Sequence, residues 1–401
     1  YDISISKWYD NAMERIWQVK EKKFDDPIVQ ILYNRGIIKD SIDKNAIDNF
    51  LQPDFDRDFH DPKLLPDIKP ALSRIKKAID SKEKIGIFAD YDADGIPGAA
   101  FLYKTFGLFG IKPEVYIPTR QSGYGFNQSG IDRLIKKGCR LIISVDLGIK
   151  ETKFAKYIKS KKVDLIITDH HLPGDELPEA LAVINPKING SEYPFKELSG
   201  GGVVYKLVQG LKKIYPEMIT ESFLKWNLDL IAISTVSDVV PLVDENRLIA
   251  KYGLLVLSKA KNIGIDAICK LAGINQNKIN AYSIGFQIGP RINAPGRIDL
   301  ATGSFKILIS DEVNEVFELA KHLEDQNQKR QNSMEKIFAA VSRRIEKENL
   351  TKNKIIILSD PDWPKGVIGP VASRLLEKYF RPVILFREEE KILVGSARSI
   401  K

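Results

Sequence analysis

Phe88-Ala89-Asp90-Tyr91-Asp92-Ala93-Asp94-Gly95 is the stretch around which the chain is organised. Three alternate carboxylates leave the end of an apolar run, Ile85 to Ala89. Residues Lys84 to Ala89 read as a buried strand, and Gly95, Pro97 and Gly98 break it before the helical Ala99-Ala100-Phe101-Leu102-Tyr103. The acids thus fall on a strand-to-helix turn, at the edge where open α/β sheets bind ligands. Three aspartates so close repel one another unless a cation sits among them, and hard oxygen donors suit Mg²⁺ or Mn²⁺. A solvated acidic turn with one Asp as helix N-cap accounts for a single acid and leaves two unexplained.

Outward from that turn the pattern alternates. A strand over 84–89 is followed by a helix over 97–107, a strand over 113–117, a helix over 128–137, a strand over 140–145, a helix over 150–160 and a strand over 163–168. Such spacing predicts an α/β fold, a parallel sheet with helices on both faces. Ahead of it, Tyr9 to Val19, Ile28 to Leu32 and Ile42 to Phe50 carry helical patterns, and Ile68, Leu72, Ile75 and Ile79 mark an amphipathic helix leading into the first strand.

Two further predicted strands also end in acids. Asp146 closes Leu141-Ile142-Ile143-Ser144-Val145, and Asp169 closes Leu165-Ile166-Ile167-Thr168 and is followed by His170 and His171. The chain has only 4 histidines, so two of them adjacent at a strand end are a signal; His60 and His322 read as ordinary surface or satisfied histidines. Ser199-Gly200-Gly201-Gly202 opens a helix, a turn that either presents N–H groups to an anion or permits close helix packing. Asp238 ends the apolar helix Leu228 to Val236, and a buried carboxylate there needs a metal or an arginine as partner.

At 401 residues the chain has room for two or three domains, and its 43% apolar content is that of a globular protein. With 61 Lys+Arg against 53 Asp+Glu, the net charge of +8 favours a polyanionic partner. Cys139 and Cys269 make neither a disulfide framework nor a thiolate zinc site, which points to a reducing compartment. No apolar segment reaches membrane-spanning length.

Asp90-Tyr91-Asp92-Ala93-Asp94-Gly95, Val145-Asp146-Leu147-Gly148, Asp169-His170-His171 and Ser237-Asp238-Val239-Val240-Pro241-Leu242, in that order, resemble the four metal-binding motifs of the DHH phosphoesterase superfamily. Within it the chain is similar to the RecJ family of single-strand-specific 5′-to-3′ exonucleases. Ile31 to Ile37 and Phe50-Leu51-Gln52-Pro53 resemble that family's N-terminal helical region. Pro118-Thr119-Arg120 with Gly123-Tyr124-Gly125, and Gly289 to Arg297, are similar to segments lining its nucleic-acid channel, while Gly366 to Gly369, Val371 to Arg374 and Gly395 to Ser399 resemble the DHH-associated domain.

The resemblance implies a DHH domain over 1–310 whose first 82 residues are helical, a connecting helix over 311–349 and a smaller α/β DHH-associated domain over 350–401, incomplete at Lys401. It also implies that Asp94, Asp146, His170 and Asp238 hold one divalent ion, that Asp92 and Asp146 with Asp90 close by hold a second, and that His171 contacts the scissile phosphate. Mn²⁺ or Mg²⁺, as a pair bridged by Asp146, suits in-line phosphodiester hydrolysis, and the imidazole favours Mn²⁺. Asp146, His171 and Asp92 would carry catalysis. Arg120, Tyr124, Arg291, Asn293, Arg297, Gly366, Arg374, Ser396 and Arg398 would line the DNA path.

From the residues themselves the DNA-path assignments stay open. Each arginine suits a phosphate or a salt bridge, Trp363 and Tyr124 suit base stacking or the core, and the long helix from about Glu312 to Asn349 suits a plain connector or a DNA groove. Gly366 to Gly369 is expected to precede a helix as a phosphate cradle. One departure stands out: the family carries a His after the Trp of the associated domain, where this chain has Trp363-Pro364-Lys365-Gly366. The expected function is 5′-to-3′ hydrolysis of single-stranded DNA in repair and recombination, by a cytoplasmic monomer working beside a single-strand-binding protein or helicase. The alternatives are an oligoribonuclease or cyclic-dinucleotide phosphodiesterase of the same superfamily, and a non-catalytic nucleic-acid-binding scaffold.

Overall fold

The structure, a computed structural model, describes residues 19–119, 123–295, 302–390 and 392–400. They form two compact units, one of Lys44–Asn327 and one combining the described parts of Tyr1–Asp43 and Gln328–Lys401. In the second, α1 (Pro27–Asn34) starts behind Asp26, whose carboxylate accepts the N–H groups of Ile28 and Val29. Apart from Val19, the expected helix Tyr9 to Val19 lies outside the described residues.

The larger unit begins with α2 (Lys44–Leu51) and α3 (Ile68–Asp80) and then alternates as expected: β1 (Ile85–Ala89), α4 (Gly95–Gly107), β2 (Glu114–Tyr116), α5 (Gln128–Lys136), β3 (Leu141–Val145), α6 (Thr152–Ser160), β4 (Asp164–Thr168) and β5 (Ala182–Ile184). The sheet order is β2-β1-β3-β4-β5 and every pairing is parallel. From β1 the chain winds outward to β2 and then returns to β3 on the other side, so the switch point lies between β1 and β3.

Both faces of the sheet are covered, which is why β1 and β3 are buried at all positions and read as unbroken apolar runs. Ile85, Ile87, Ala89, Leu141, Ile143 and Val145 join the core that includes α3, α4 and α7 (Gly200–Lys212). Phe88 and Ile142 point the other way, into the core formed with Ile131 and Leu134 of α5 and Ala155 and Ile158 of α6. Beyond α7 come α8 (Glu221–Trp226), α9 (Leu228–Ser237), α10 (Asp244–Leu257) and α11 (Ile263–Leu271). A π-helical stretch, Ser283–Ile288, runs directly into the single turn α12 (Gly289–Ile292), and α13 (Thr302–Ile309) follows.

The 35-residue α14 (Val313–Lys347) contains the boundary between the units. In the smaller unit β6 (Ile356–Asp360), α15 (Lys365–Tyr379), β7 (Val383–Glu389) and β8 (Ile392–Arg398) build a sheet of order β6-β7-β8, parallel at the first pairing and antiparallel at the second. Its core joins Ile337, Val341 and Ile345 to Val371, Leu375 and Leu385. Gly366 to Gly369 differ from expectation: they lie inside the first turns of α15, which starts at Lys365 after Pro364. Trp363 is buried in this core, which decides between its two readings. No helix among the described residues is long and apolar enough to cross a membrane.

Candidate metal centre

Register places three of the acids. Ala89 pairs with Val145 and Val145 with Thr168, so Asp90, Asp146 and Asp169 are the next residues on three adjacent parallel strands. The ladder continues through them, with Asp90 N–H donating to Val145 O at 3.1 Å, Asp146 N–H to Thr168 O at 2.9 Å and Asp169 N–H to Ile184 O at 3.1 Å. Asp146 then adopts φ +62°, a left-handed conformation tolerated by short polar residues, and this redirects the chain at the sheet edge.

The acidic turn is built by its own side chains. One Asp92 oxygen accepts the N–H groups of Asp94 and Gly95 at 2.9 and 3.1 Å. A Cβ at Gly95 would lie 2.7 Å from Asp90 O, so only glycine closes this turn. The Asp94 carboxylate is gripped across the core: Gly200 N–H and Gly201 N–H donate to its two oxygens at 2.8 Å each, and Ser234 Oγ–H donates at 2.5 Å. The glycine-rich turn at the start of α7 therefore meets both of its readings at once. Its anion is Asp94, and its glycines permit close packing, since a Cβ at Gly200 would sit 2.6 Å from Asp146 Cβ.

The third motif divides its labour. Asp169 accepts from Ile149 N–H at 2.9 Å, His170 N–H at 2.7 Å, His171 N–H at 3.1 Å and His171 Nδ1–H at 2.8 Å. Burial would raise its pKa, yet the His171 hydrogen bond and charge, together with the backbone donors, hold it below the ordinary carboxylate value. Asp169 is thus a buttress that fixes the His171 tautomer, a role its place in the sequence does not reveal. The same hydrogen bond raises the pKa of His171. Tyr124 O–H reaches Asp146 O at 3.3 Å and its ring lies edge-on to His171, which places Tyr124 at this site.

His170 stands at the middle of the convergence. Its Nε2 lies 3.5 Å from Asp94 Oδ2, 3.3 Å from Asp146 Oδ1 and 3.5 Å from Asp238 Oδ2. Burial lowers the His170 pKa against the pull of Asp94. Burial, then the charges of Asp94, Asp92 and Asp90, raise Asp146 well above its ordinary value. Asp238, at the C-terminus of α9, is pushed up to about 7 by burial and by Asp94 and Asp92. No lysine or arginine among the described residues forms an ion pair with Asp94, Asp146 or Asp238. Asp146 Oδ1 and both His170 nitrogens are buried without a hydrogen-bond partner.

Three donor sets have their ligand atoms within 4.8 Å of one another: Asp94, His170 and Asp238; Asp90, Asp92 and Asp146; and Asp146, His170 and His171. Asp146 belongs to two of them, as a bridging carboxylate must. Carboxylates crowded together with no lysine or arginine of the described residues between Asp94, Asp146 and Asp238, and with Asp146 Oδ1 and His170 Nε2 left over, fit divalent cations. A fourth set, His60, Asp244 and Glu245, is different in kind. There Lys206 Nζ–H already donates to Glu245 at 2.8 Å and Asp244 accepts from His60 at 2.8 Å, so His60 is a satisfied histidine, as expected.

The expected DNA-path residues have varied surroundings. Arg291 pairs with Glu324 at 2.5 and 3.1 Å and also donates to Gln287 O. Asn293 Oδ1 accepts Ala93 N–H, inside the acidic turn, at 2.7 Å. In the smaller unit Arg374 pairs with Glu335 and lies 4.2 Å from the Phe338 ring centroid, while Arg398 donates to Ser373 Oγ and Ser396 Oγ at 3.0 Å each. Gly366 lies in the first turn of α15. Arg120 and Arg297 lie outside the described residues.

Residues 84–235 match the DHH family, N-terminal domain. The chain is 40% identical over 349 residues to the single-stranded-DNA-specific exonuclease RecJ of Bacillus subtilis, covering 86% of this chain and 43% of that protein. It is 35% identical over 356 residues to the RecJ of Haemophilus influenzae, covering 85% of this chain and 61% of that one. The chain thus spans about half the length of these relatives. Among solved structures, exonuclease RecJ bound to manganese superposes with a TM-score of 0.73 at 29% identity, over 84% of this chain and 83% of that one. RecJ of Thermus thermophilus in complex with Mn²⁺ gives 0.75 at 27% identity, over 93% of this chain and 52% of that one. Taken with the order and convergence of the four motifs, these matches show that the chain carries a DHH-family domain over residues 84–235 and is similar to RecJ exonucleases over most of its length.

Proposed function

We propose that this chain hydrolyses phosphodiester bonds of single-stranded DNA from the 5′ end, with two divalent ions, Mn²⁺ or Mg²⁺, and that it acts in DNA repair and recombination. The observation that carries the reading is the meeting of Asp94, Asp146 and Asp238 within 3.3–3.5 Å of one imidazole nitrogen, His170 Nε2. Asp94, His170, Asp146 and Asp238 would hold one ion, and Asp146, Asp92 and Asp90 the other. When bound, such a pair lowers the pKa of water and stabilises charge on the attacking and leaving oxygens. The protein's own part is orientation. His171, tied through Nδ1 to Asp169, keeps Nε2 for a phosphate oxygen, and its raised pKa favours the donor form. Tyr124, whose phenol burial and Asp146 hold above its ordinary pKa, remains a neutral donor beside it.

Support for the DNA substrate comes from the names of the relatives, support for the 5′-to-3′ polarity from the resemblance of the motifs alone, and support for the ions from solved RecJ structures with Mn²⁺ and Mg²⁺. The same reading makes 1–310 the DHH domain, 311–349 the connecting helix and 350–401 part of the associated domain. Digestion of 5′-labelled and 3′-labelled single strands with Mn²⁺, with short RNA and a cyclic dinucleotide in parallel, tests it. The 5′ label should leave at once as a mononucleotide while the 3′ label moves down a ladder. Prior loss of the 3′ label, or preference for RNA or the cyclic dinucleotide, would refute it.

A further inference from the structure

The acidic turn and α9 are far apart in sequence, yet one short element touches both. α12 begins at Gly289, where a Cβ would lie 2.5 Å from Ser237 Oγ. Ser237 is the last residue of α9, immediately before Asp238. One residue past its end, Asn293 Oδ1 accepts the N–H of Ala93, which sits between Asp92 and Asp94. Gly285, one turn earlier, faces Val236 Cγ1 with its would-be Cβ at 3.9 Å. From Gly289 to Asn293 is about 6 Å of helix. We infer that this single turn is a brace that fixes the acidic turn against the end of α9, making Asn293 and Gly289 positioning residues for the Asp94–His170–Asp238 donor set.

The donors of the acidic turn show why an outside acceptor is required. Asp94 and Gly95 N–H go to Asp92, Ile96 N–H goes to Asp92 O, and Asp90 N–H goes to β3. Ala93 is 1% exposed, and its N–H goes to Asn293. A buried N–H left without an acceptor is unfavourable, so removing the amide forces the turn to reorient. Because the donor here is a backbone N–H, the Asn293 oxygen must face it, and both amide hydrogens point elsewhere. The brace is itself anchored: Ser304 Oγ–H donates to Ile292 O at 2.7 Å, and Arg291 is held by Glu324 and Gln287 O. Asn293, expected from resemblance to touch DNA, therefore acts first on the protein's own metal-binding turn.

The inference rests on the two-metal reading, and Mn²⁺ calorimetry on wild-type and variant proteins separates the two. Asn293→Ala should weaken Mn²⁺ binding roughly 10–100-fold, the range seen when a group orienting a metal ligand is removed. Gly289→Ala, which touches neither turn nor ligand, should do the same by pushing α12 away from Ser237. Adding Ser237→Ala removes the hydroxyl it collides with and should restore much of the affinity. Thermal melts confirm that each variant remains folded. Wild-type Mn²⁺ affinity in folded Asn293→Ala and Gly289→Ala would overturn the brace. Absence of Mn²⁺ uptake by the wild type would instead overturn the two-metal reading.

Discussion

His170 Nε2 lies 3.3 Å from Asp146 Oδ1, and neither atom takes part in a hydrogen bond. Both are buried, which under the two-metal proposal makes the pair a coordination position held in reserve.

Asp146 bridges two donor sets and is also an uncompensated buried carboxylate. Asp146→Asn should reduce hydrolysis to background while single-strand binding survives. The metal-free variant should also be more stable than wild type, by roughly 1–3 kcal/mol, because a desolvated charge has been removed. Gel assays and chelator-phase denaturant melts check both parts; full activity would end the bridging role.

Asp169 orients His171 without joining any donor set. Asp169→Asn should leave Mn²⁺ affinity within a few-fold of wild type and slow hydrolysis about 10–100-fold, as expected when the support of a working histidine is lost. Calorimetry paired with single-turnover rates makes the separation. Equal losses in both would turn Asp169 into a ligand.

Burial and the charges of Asp94 and Asp92 push the Asp238 carboxyl up to about 7, and a metal held by it as proposed would need it ionised. Mn²⁺ affinity should therefore rise by about tenfold per pH unit below 7 and level off above it, with proton release on binding. Titrations between pH 5.5 and 8.5 in buffers of different ionisation enthalpy read both quantities. A flat profile would contradict the assignment of Asp238.

Asp229, fully enclosed within α9, offers a control outside the donor sets. Burial pushes its pKa up to about 6, opposed by Lys104 and the Leu230 N–H. A folded-state pKa raised above the unfolded value gives stability that is present below about 4 and lost as pH rises through 6. Two units correspond to about 3 kcal/mol. Asp229→Asn should match wild type at pH 4 and exceed it by up to that amount at pH 8, in urea melts. Equal stability at both pH values would mean that Asp229 is solvated.

The alternation from β1 to β4 was legible because strands covered on both faces read as continuous apolar runs, and every observed boundary there lies within two residues of the expected one. The donor residues were legible because each closes an apolar run or, as with His170, follows such an acid. What holds them was not. Gly200 and Gly201 reach Asp94 across 106 and 107 positions, Asn293 reaches Ala93 across 200, and no local pattern encodes such pairs. Gly366 to Gly369 misled for a different reason. Glycines after Pro364 look like a loop, yet Val367, Ile368, Val371 and Leu375 bury one side of that segment, and tertiary packing keeps it helical.

The alignment of Ala89, Val145 and Thr168 on neighbouring strands has a consequence for maturation of the chain. A slip of one residue in either pairing would swing a carboxylate to the opposite side of the pleat, and the proposed metal site would never assemble. Uptake of Mn²⁺ during refolding should accordingly report the moment at which these three strands lock, later than collapse and earlier than any turnover.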